Sequence, residues 1–341
     1  MRRENLSASS LPLNRGRWKM KTLLMTAGLA ALAASAAWAE TWPARPVTIV
    51  VPYSAGGITD LTIRRIEPAL EGALDQEVVI FNNTGHSSVG TRRVIDAEPD
   101  GYEFLWTETG IMTAQASGIT DFGYKDLKPV AAVSNICSVT MMQARDGQSS
   151  LKELFDLAKS EDQTLKAGVT LGGLSHMSIL ALANAADVDV RFIQIGGSAD
   201  TYAALLGDQI DLSWATPGTA VRNTRDPDGN LLPDVKVRAA LYSGPERYEQ
   251  LPEVPTAHEA GYDVEVCLPH ILFAPKETPD AIIAQMSAAL DAAYSDNEVR
   301  QFMGELGATE FFATGDELSA YLEQQWQLLE PLAIQATQAT K

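Results

Sequence analysis

The chain has 341 residues, 26 of them Lys or Arg and 44 Asp or Glu, for a formal charge of −18 at pH 7. That acidity excludes the basic footprint of a nucleic-acid binder and argues against docking on anionic lipid; it suits a protein kept soluble by self-repulsion. About 300 residues beyond an N-terminal leader are too many for one ordinary core and suit two domains.

Arg15, Arg17, Lys19 and Lys21 precede an apolar run at residues 23–37 that closes on Ala37-Trp38-Ala39. A positive stretch, a short apolar run and a small-x-small site describe a secretory signal peptide over residues 1–39, cleaved near Ala39. The run is shorter than the roughly 20 apolar residues of a spanning helix. Met1 and Met20 are both plausible starts, since Met20-Lys21-Thr22 opens the signal just as well.

From residue 47 the chain alternates β-branched runs with helical stretches. Val47 to Val51 reads as a buried strand, followed by a Gly-Gly turn and a helical pattern over 58–74. Strands are expected at 77–81 and, after the Glu98-Pro99-Asp100-Gly101 turn, at 103–106. One long apolar stretch covers 130–142. A helix at 150–159, a strand at 165–170, a helix at 175–186, a strand at 188–195, a helix at 199–206 and a short strand at 210–213 follow. The polar stretch after Asn223, with its Asp226-Pro227-Asp228-Gly229 turn, and the Gly- and Pro-rich 243–256 read as surface loops. Strands at 235–241 and 264–273 and helical segments at 279–294, 298–306 and 314–335 complete the chain. This alternation predicts an α/β fold with parallel sheets, which bind ligands at the carboxyl ends of their strands.

The strand-to-helix turns therefore carry the functional reading. Tyr53-Ser54-Ala55-Gly56-Gly57-Ile58-Thr59-Asp60 is echoed by Gly196-Gly197-Ser198-Ala199-Asp200 and by Gly172-Gly173-Leu174-Ser175-His176. The echo suggests two similar domains. A helix N-terminus offers unpaired N–H groups and partial positive charge, and glycine lets an anion approach them. Ser54, Thr59, Ser175 and Ser198 add hydroxyl donors. Any one Gly-Gly is explained by a tight turn, with Asp60 and Asp200 capping first-turn amides; the repetition in one exported chain points to a site. Thr107-Glu108-Thr109 ends the third strand and opens on the same cleft. Thr107 and Thr109 can donate to a carboxylate, whereas Glu108 would repel one; it either receives a ligand hydroxyl or ammonium or points to solvent.

Other chemistries find less support. G-x-G-x-x-G and G-K-[ST] are absent, which disfavours nucleotide binding. Ser175-His176 lacks a G-x-S-x-G elbow, and adjacent helix residues point apart, so His176 is a poor base for Ser175. The four histidines (His86, His176, His258, His270) form no zinc motif, so neither metal nor cofactor is expected. Cys137 and Cys267 are not at metal-ligand spacing and are either disulfide-bonded or buried thiols.

In order along the chain, Trp42-Pro43-Ala44-Arg45-Pro46-Val47, the Val51 to Asp60 turn, Pro99-Asp100-Gly101-Tyr102, Gly173-Leu174-Ser175-His176, Gly196-Gly197 with Leu205-Leu206-Gly207-Asp208-Gln209-Ile210-Asp211-Leu212, Leu251-Pro252-Glu253-Val254-Pro255-Thr256 and Glu259-Ala260-Gly261-Tyr262 resemble motifs of one family. It is the substrate-binding proteins of tripartite tricarboxylate transporters, the Bug/TctC type. The resemblance implies a type II periplasmic-binding-protein-like α/β fold: two lobes with mixed and parallel sheets, residues 40–136 plus 271–341 and residues 137–270, joined by crossover strands. It implies a periplasmic, monomeric protein that captures a small carboxylate-bearing organic acid for integral-membrane permease subunits, without a cofactor and without catalysis. Carried over by position, the contact candidates are Tyr53, Ser54, Ala55, Gly56, Gly57, Thr59, Asp60, Thr107, Thr109, Ser175, His176, Gly196, Gly197 and Ser198. Glu108, Gln194 and His270 stand at cleft positions where the family's usual residues differ, and Ala215 replaces an Asp. The resemblance also puts Cys137 and Cys267 on neighbouring crossover strands, within reach of a disulfide. A sensory binding protein serving a membrane kinase and a secreted serine hydrolase are the rival readings.

Overall fold

Val47, Ile49, Val50 and Val51 are fully buried because β1 (Val47–Val51) is an inner strand of a six-stranded sheet. The computed structural model describes residues 42–83, 87–144, 150–195, 198–232 and 236–338. The expected signal peptide therefore lies outside the described residues, as do His86, Gly196, Gly197 and the side chain of Ser198. The described residues from Arg45 onward form one compact unit.

β1 pairs in parallel with β2 (Val78–Asn82) and β3 (Glu103–Thr107). β10 (Cys267–Pro275) runs antiparallel between β3 and β4 (Leu127–Cys137), and β11 (Thr309–Ala313) closes the edge beside β4. All residues of β10 are buried, as expected of a continuous apolar run inside a covered sheet. A second, five-stranded sheet has the order β7-β6-β8-β5-β9. Its β6 (Leu165–Val169) is parallel to β7 (Val190–Gln194) and β8 (Leu212–Ala215), while β5 (Val139–Gln143) is antiparallel to β8 and β9 (Val237–Tyr242).

The single apolar stretch expected at 130–142 is divided at Ser138 between β4 in one sheet and β5 in the other. A buried hydroxyl needs partners, and Ser138 Oγ finds Ser178 Oγ and Ser243 Oγ, each at 2.8 Å. The chain returns through β10, whose pairing begins at Cys267, ahead of the 270/271 boundary expected from the sequence. Cys137 and Cys267 face each other in register and are disulfide-bonded, with Cα atoms 3.8 Å apart.

The helices follow amphipathic logic. α1 (Ile58–Leu74) buries Ile63, Ile66, Leu70 and Leu74, spaced three and four apart along one face. The sequence did not disclose α2 (Ser87–Ile95), α3 (Gly110–Ala116), α7 (Pro217–Thr224) or β11. For α7 a signal was present, because Thr216 Oγ1 accepts from Thr219 N at 3.2 Å and Pro217 occupies the first turn. The remaining helices are α4 (Leu151–Ser160), α5 (Leu174–Ala186), α6 (Ser198–Leu206), α8 (Asp280–Tyr294), α9 (Asn297–Leu306) and α10 (Gly315–Gln338). α10 packs on α3, α5 and β4, so the C-terminal helix touches elements that follow strands of both sheets. Among the described residues no helix is long and apolar enough to cross a membrane.

Candidate functional site

The turns after β1, β3 and β6 and the end of β8 converge on a cavity of about 360 Å³ between the two sheets. Tyr53, Gly57, Ile58 and Thr59 line it from the β1–α1 turn, Glu108 from the end of β3, and Gly168 to Thr170 with Gly173 to Ser175 from the β6–α5 turn. Trp214 of β8, Thr201 of α6 and Leu268 of β10 complete the wall. Its position at the carboxyl ends of parallel strands is where such sheets bind ligands. A larger groove, about 980 Å³, runs along the β9 edge and is lined by the five-stranded sheet and its connections alone. The helix that starts there, α4, is already closed by a reciprocal Ser150–Glu153 capping box.

Both helices that open on the cavity begin at a glycine with no side-chain cap: Gly57 for α1 and Gly173 for α5. The amides of Ile58, Thr59 and Asp60, and those of Leu174 and Ser175, have no acceptor among the described residues. Four of these residues, Ile58, Thr59, Leu174 and Ser175, line the cavity, so four donors and two helix N-termini border one space. Ser54, Ala55 and Gly56 are exposed on the β1–α1 turn and do not line the cavity. Gly56 has φ 83, a left-handed conformation that needs glycine. Asp60 does not cap the first turn as expected. Its buried carboxylate reaches back to Gly56 N at 2.8 Å and takes Arg64 Nε and Asn82 Nδ2 at 2.9 Å each. Burial would raise this carboxyl, but the Gly56 amide, Arg64 and Asn82 outweigh it and hold it below the usual range. Asp60 is therefore the clamp that fixes the turn.

Tyr53 and Glu108 form the floor. The Tyr53 hydroxyl donates to Glu108 Oε1 and lies 3.3 Å from Thr107 Oγ1. Glu108 Oε2 accepts from Gly110 N at 2.6 Å and, more weakly, from Thr109 Oγ1 at 3.5 Å. Burial pushes the Glu108 carboxyl up, against the pull of these donors, and the same burial with the facing carboxylate raises the Tyr53 phenol well above its ordinary value. Thr107 and Thr109 are buried behind this pair and do not line the cavity.

In the β6–α5 turn Ser175 lines the cavity, and its Oγ accepts from Thr170 N at 3.0 Å. His176 is buried instead; Nδ1 accepts from Gly172 N at 3.2 Å and the ring packs on Phe192, centroids 4.3 Å apart. Gln194 is exposed at the end of β7, where its Oε1 takes Leu171 N at 2.8 Å. Asp200 is exposed in the first turn of α6. His270 lies inside the six-stranded sheet, stacked on Trp106 at 5.5 Å and 8°, rather than in the cleft wall. Its Nδ1 meets Ser134 Oγ at 2.9 Å, and Ser134, at φ 57, is the extra residue where the β4–β10 register shifts. Trp106 in turn donates Nε1 to Thr59 O at 3.0 Å, which ties this buried stack to the first turn of α1.

Sequence reasoning missed Ile58, Val169, Leu174, Trp214 and Leu268, the apolar walls. Trp214 carried a signal: a large aromatic at the carboxyl end of a short strand between two turns.

Two α/β layers with a cavity between strand ends, rimmed by uncapped helix starts, define a solute-binding protein. The model of the tripartite tricarboxylate transporter family receptor, TctC, matches residues 62–335, and the chain belongs to that family. It is similar to BugT of Bordetella pertussis, 28% identical over 311 residues that cover 89% of this chain and 92% of BugT. Among solved structures it is similar to the periplasmic binding protein BugD, with TM-score 0.70, 28% identity, and 86% and 98% of the two chains covered. MatC from Rhodopseudomonas palustris, solved with bound malate, gives TM-score 0.69 and 28% identity, with 86% of this chain and 100% of that one covered.

Proposed function

We propose that the protein is exported to the periplasm, loses its signal peptide near Ala39, and as a monomer captures a small organic acid through its carboxylate for delivery to permease subunits in the membrane. One observation carries this reading: Ile58, Thr59, Leu174 and Ser175, whose amides are unpaired among the described residues, line one cavity at two glycine-started helices. A carboxylate there gains charge-assisted hydrogen bonds of about 1.5–3 kcal/mol each, without a Lys or Arg among the lining residues. The malate in MatC is in keeping with this chemistry. The two sheets serve as lobes, the chain up to Cys137 and from Cys267 onward on one side and residues 138–266 on the other, and ligand favours the closed arrangement because it contacts both. Binding is noncovalent: Ser175 and His176 each hold backbone of their own turn, an arrangement that favours structure over hydrolysis.

The test is a thermal-shift screen of the mature protein against carboxylic acids and their matched amides. Ligand at a hundredfold excess over Kd stabilises the folded state by about 2.7 kcal/mol, so a true acid ligand raises Tm by several degrees and its amide does not. Gly57→Val places a side chain at the cavity wall on a backbone, φ −72 and ψ 164, that a valine adopts without strain. It is expected to abolish the ligand shift and leave the unliganded Tm nearly unchanged. Equal shifts with acids and amides would sink the carboxylate reading.

A further inference from the structure

Glu108 is a carboxylate set into the wall of an otherwise uncharged cavity. Its oxygens are fixed by neutral donors alone, the Tyr53 hydroxyl, the Gly110 amide and the Thr109 hydroxyl. Among the described residues no Lys, Arg or His forms an ion pair with it, and none lines the cavity. The seat is built for it. A Cβ on Gly110 would fall 2.7 Å from Glu108 Oε1 and 2.8 Å from the Tyr53 oxygen, so a side chain there would displace the pair from this arrangement. Capping of α3 uses Oε2; Oε1 takes one hydrogen bond from Tyr53 and keeps a lone pair free.

A desolvated charge without a counter-ion is costly, and the walls around it are apolar, with Ile58, Val169, Leu174, Trp214 and Leu268. When the cleft closes on a ligand, the water that screens Glu108 is expelled. A second ligand carboxylate near Glu108 would add repulsion, whereas a cation would complete a pair. Tyr53, the cavity-lining hydroxyl beside it, is already committed to Glu108 and is not offered to a ligand carboxylate.

We infer that Glu108 is the counter-ion for a positively charged nitrogen of the ligand, so that the protein takes a zwitterion: one carboxylate at the helix starts and one ammonium group at Glu108, on an apolar body. This rests on the solute-binding reading above and sets the chemistry of the ligand's other end.

The two ideas separate in one factorial experiment on the mature protein by isothermal titration calorimetry. The probes are hexanoate, 6-aminohexanoate, hexanamide and 6-aminohexanamide, with adipate as the dicarboxylate and shorter and longer homologues of each. The acid-against-amide contrast reads the carboxylate site; the ammonium-against-methyl contrast reads Glu108. The ammonium is expected to tighten binding by about tenfold or more, the size of one charge-assisted hydrogen bond, and 6-aminohexanoate to outbind adipate. In Glu108→Gln, shown folded by its melting curve, the ammonium advantage disappears. An ammonium advantage that survives in Glu108→Gln, adipate binding tighter than the amino acid, or no ammonium advantage at any chain length each overturns the inference. The adipate comparison needs no variant, so a folding failure of Glu108→Gln does not shield the idea. Loss of the acid-against-amide contrast alone would count against the carboxylate reading and leave the Glu108 contrast standing.

Discussion

His270 shows how a single buried group makes stability depend on pH. It is fully buried, its Nδ1 is bonded to Ser134, and Nε2 has no partner among the described residues, so burial pushes the ring down to about 3. In the unfolded chain a histidine titrates near 6.5. Between those values the unfolded state binds a proton that the folded state refuses. The contribution is therefore complete above about pH 6.5 and is lost progressively as pH falls toward 3. Each such proton is worth about 1.4 kcal/mol per pH unit. The ring of His176, also lowered by burial, acts in the same direction. In His270→Asn, urea unfolding between about pH 6 and 4 should show a shallower loss of stability by close to that one-proton slope; identical slopes in wild type and variant would show that His270 protonates in the folded protein. Little of this was legible beforehand. The sequence put His270 beside a cleft, but a histidine inside an all-buried strand is told from a cleft residue only by which face its side chain meets.

At the level of elements, the two sheets repeat one plan. β1 lies between two parallel neighbours, β2 and β3, as β6 lies between β7 and β8, and each sheet then adds antiparallel strands. The topological counterpart of the Gly56-Gly57 turn is thus the Gly172-Gly173 turn after β6, although the residue pattern Gly-Gly-x-x-Asp is closer to the turn after β7. Sequence similarity of short turns followed composition; position in the sheet decided which turn meets which across the cavity. A second contact between elements of the two sheets lies at α7 and α9. A Cβ on Gly218 would stand 2.0 Å from the carbonyl oxygen of Glu305, a backbone atom that cannot swing away. Gly218→Ala should therefore cost about 1–3 kcal/mol, the scale of overpacking. A melting temperature unchanged from wild type would mean that the helices part without loss, and that this contact is not a fixed one.

For the whole molecule the decisive feature is that the chain leaves the six-stranded sheet at Cys137 and comes back at Cys267. The disulfide closes a loop with a sequence separation of 130 that contains the entire five-stranded sheet. It also fixes the crossover strands to each other next to the buried Ser138, Ser178 and Ser243 cluster. Cross-linking restricts the unfolded chain, and loss of a native bond of this kind typically costs about 2–5 kcal/mol. The double variant Cys137→Ser, Cys267→Ser is expected to fall in stability by that amount in urea, with dithiothreitol-treated wild type matching it. Equal stability of reduced and oxidised protein would show that the paired strands alone hold the crossover.

Short-range chemistry was decided by the sequence: the strand and helix alternation, the α/β class, the β1–α1 and β6–α5 turns as glycine-started helices, and the family motifs. These follow from hydrophobic period and turn chemistry, which act over a few neighbouring residues. The tertiary structure alone decided the rest. It divided one apolar run at Ser138 between two sheets, joined two distant cysteines, buried His176 and His270 away from the cleft, and brought Trp214 and Leu268 into its walls. It also turned Asp60 back on its own turn and set Glu108 against Tyr53, residues 55 positions apart. The physical reason is common to all of these: burial, and the partner a buried polar group finds, depend on which strands pair, and strand pairing is a property of the whole chain rather than of any window along it.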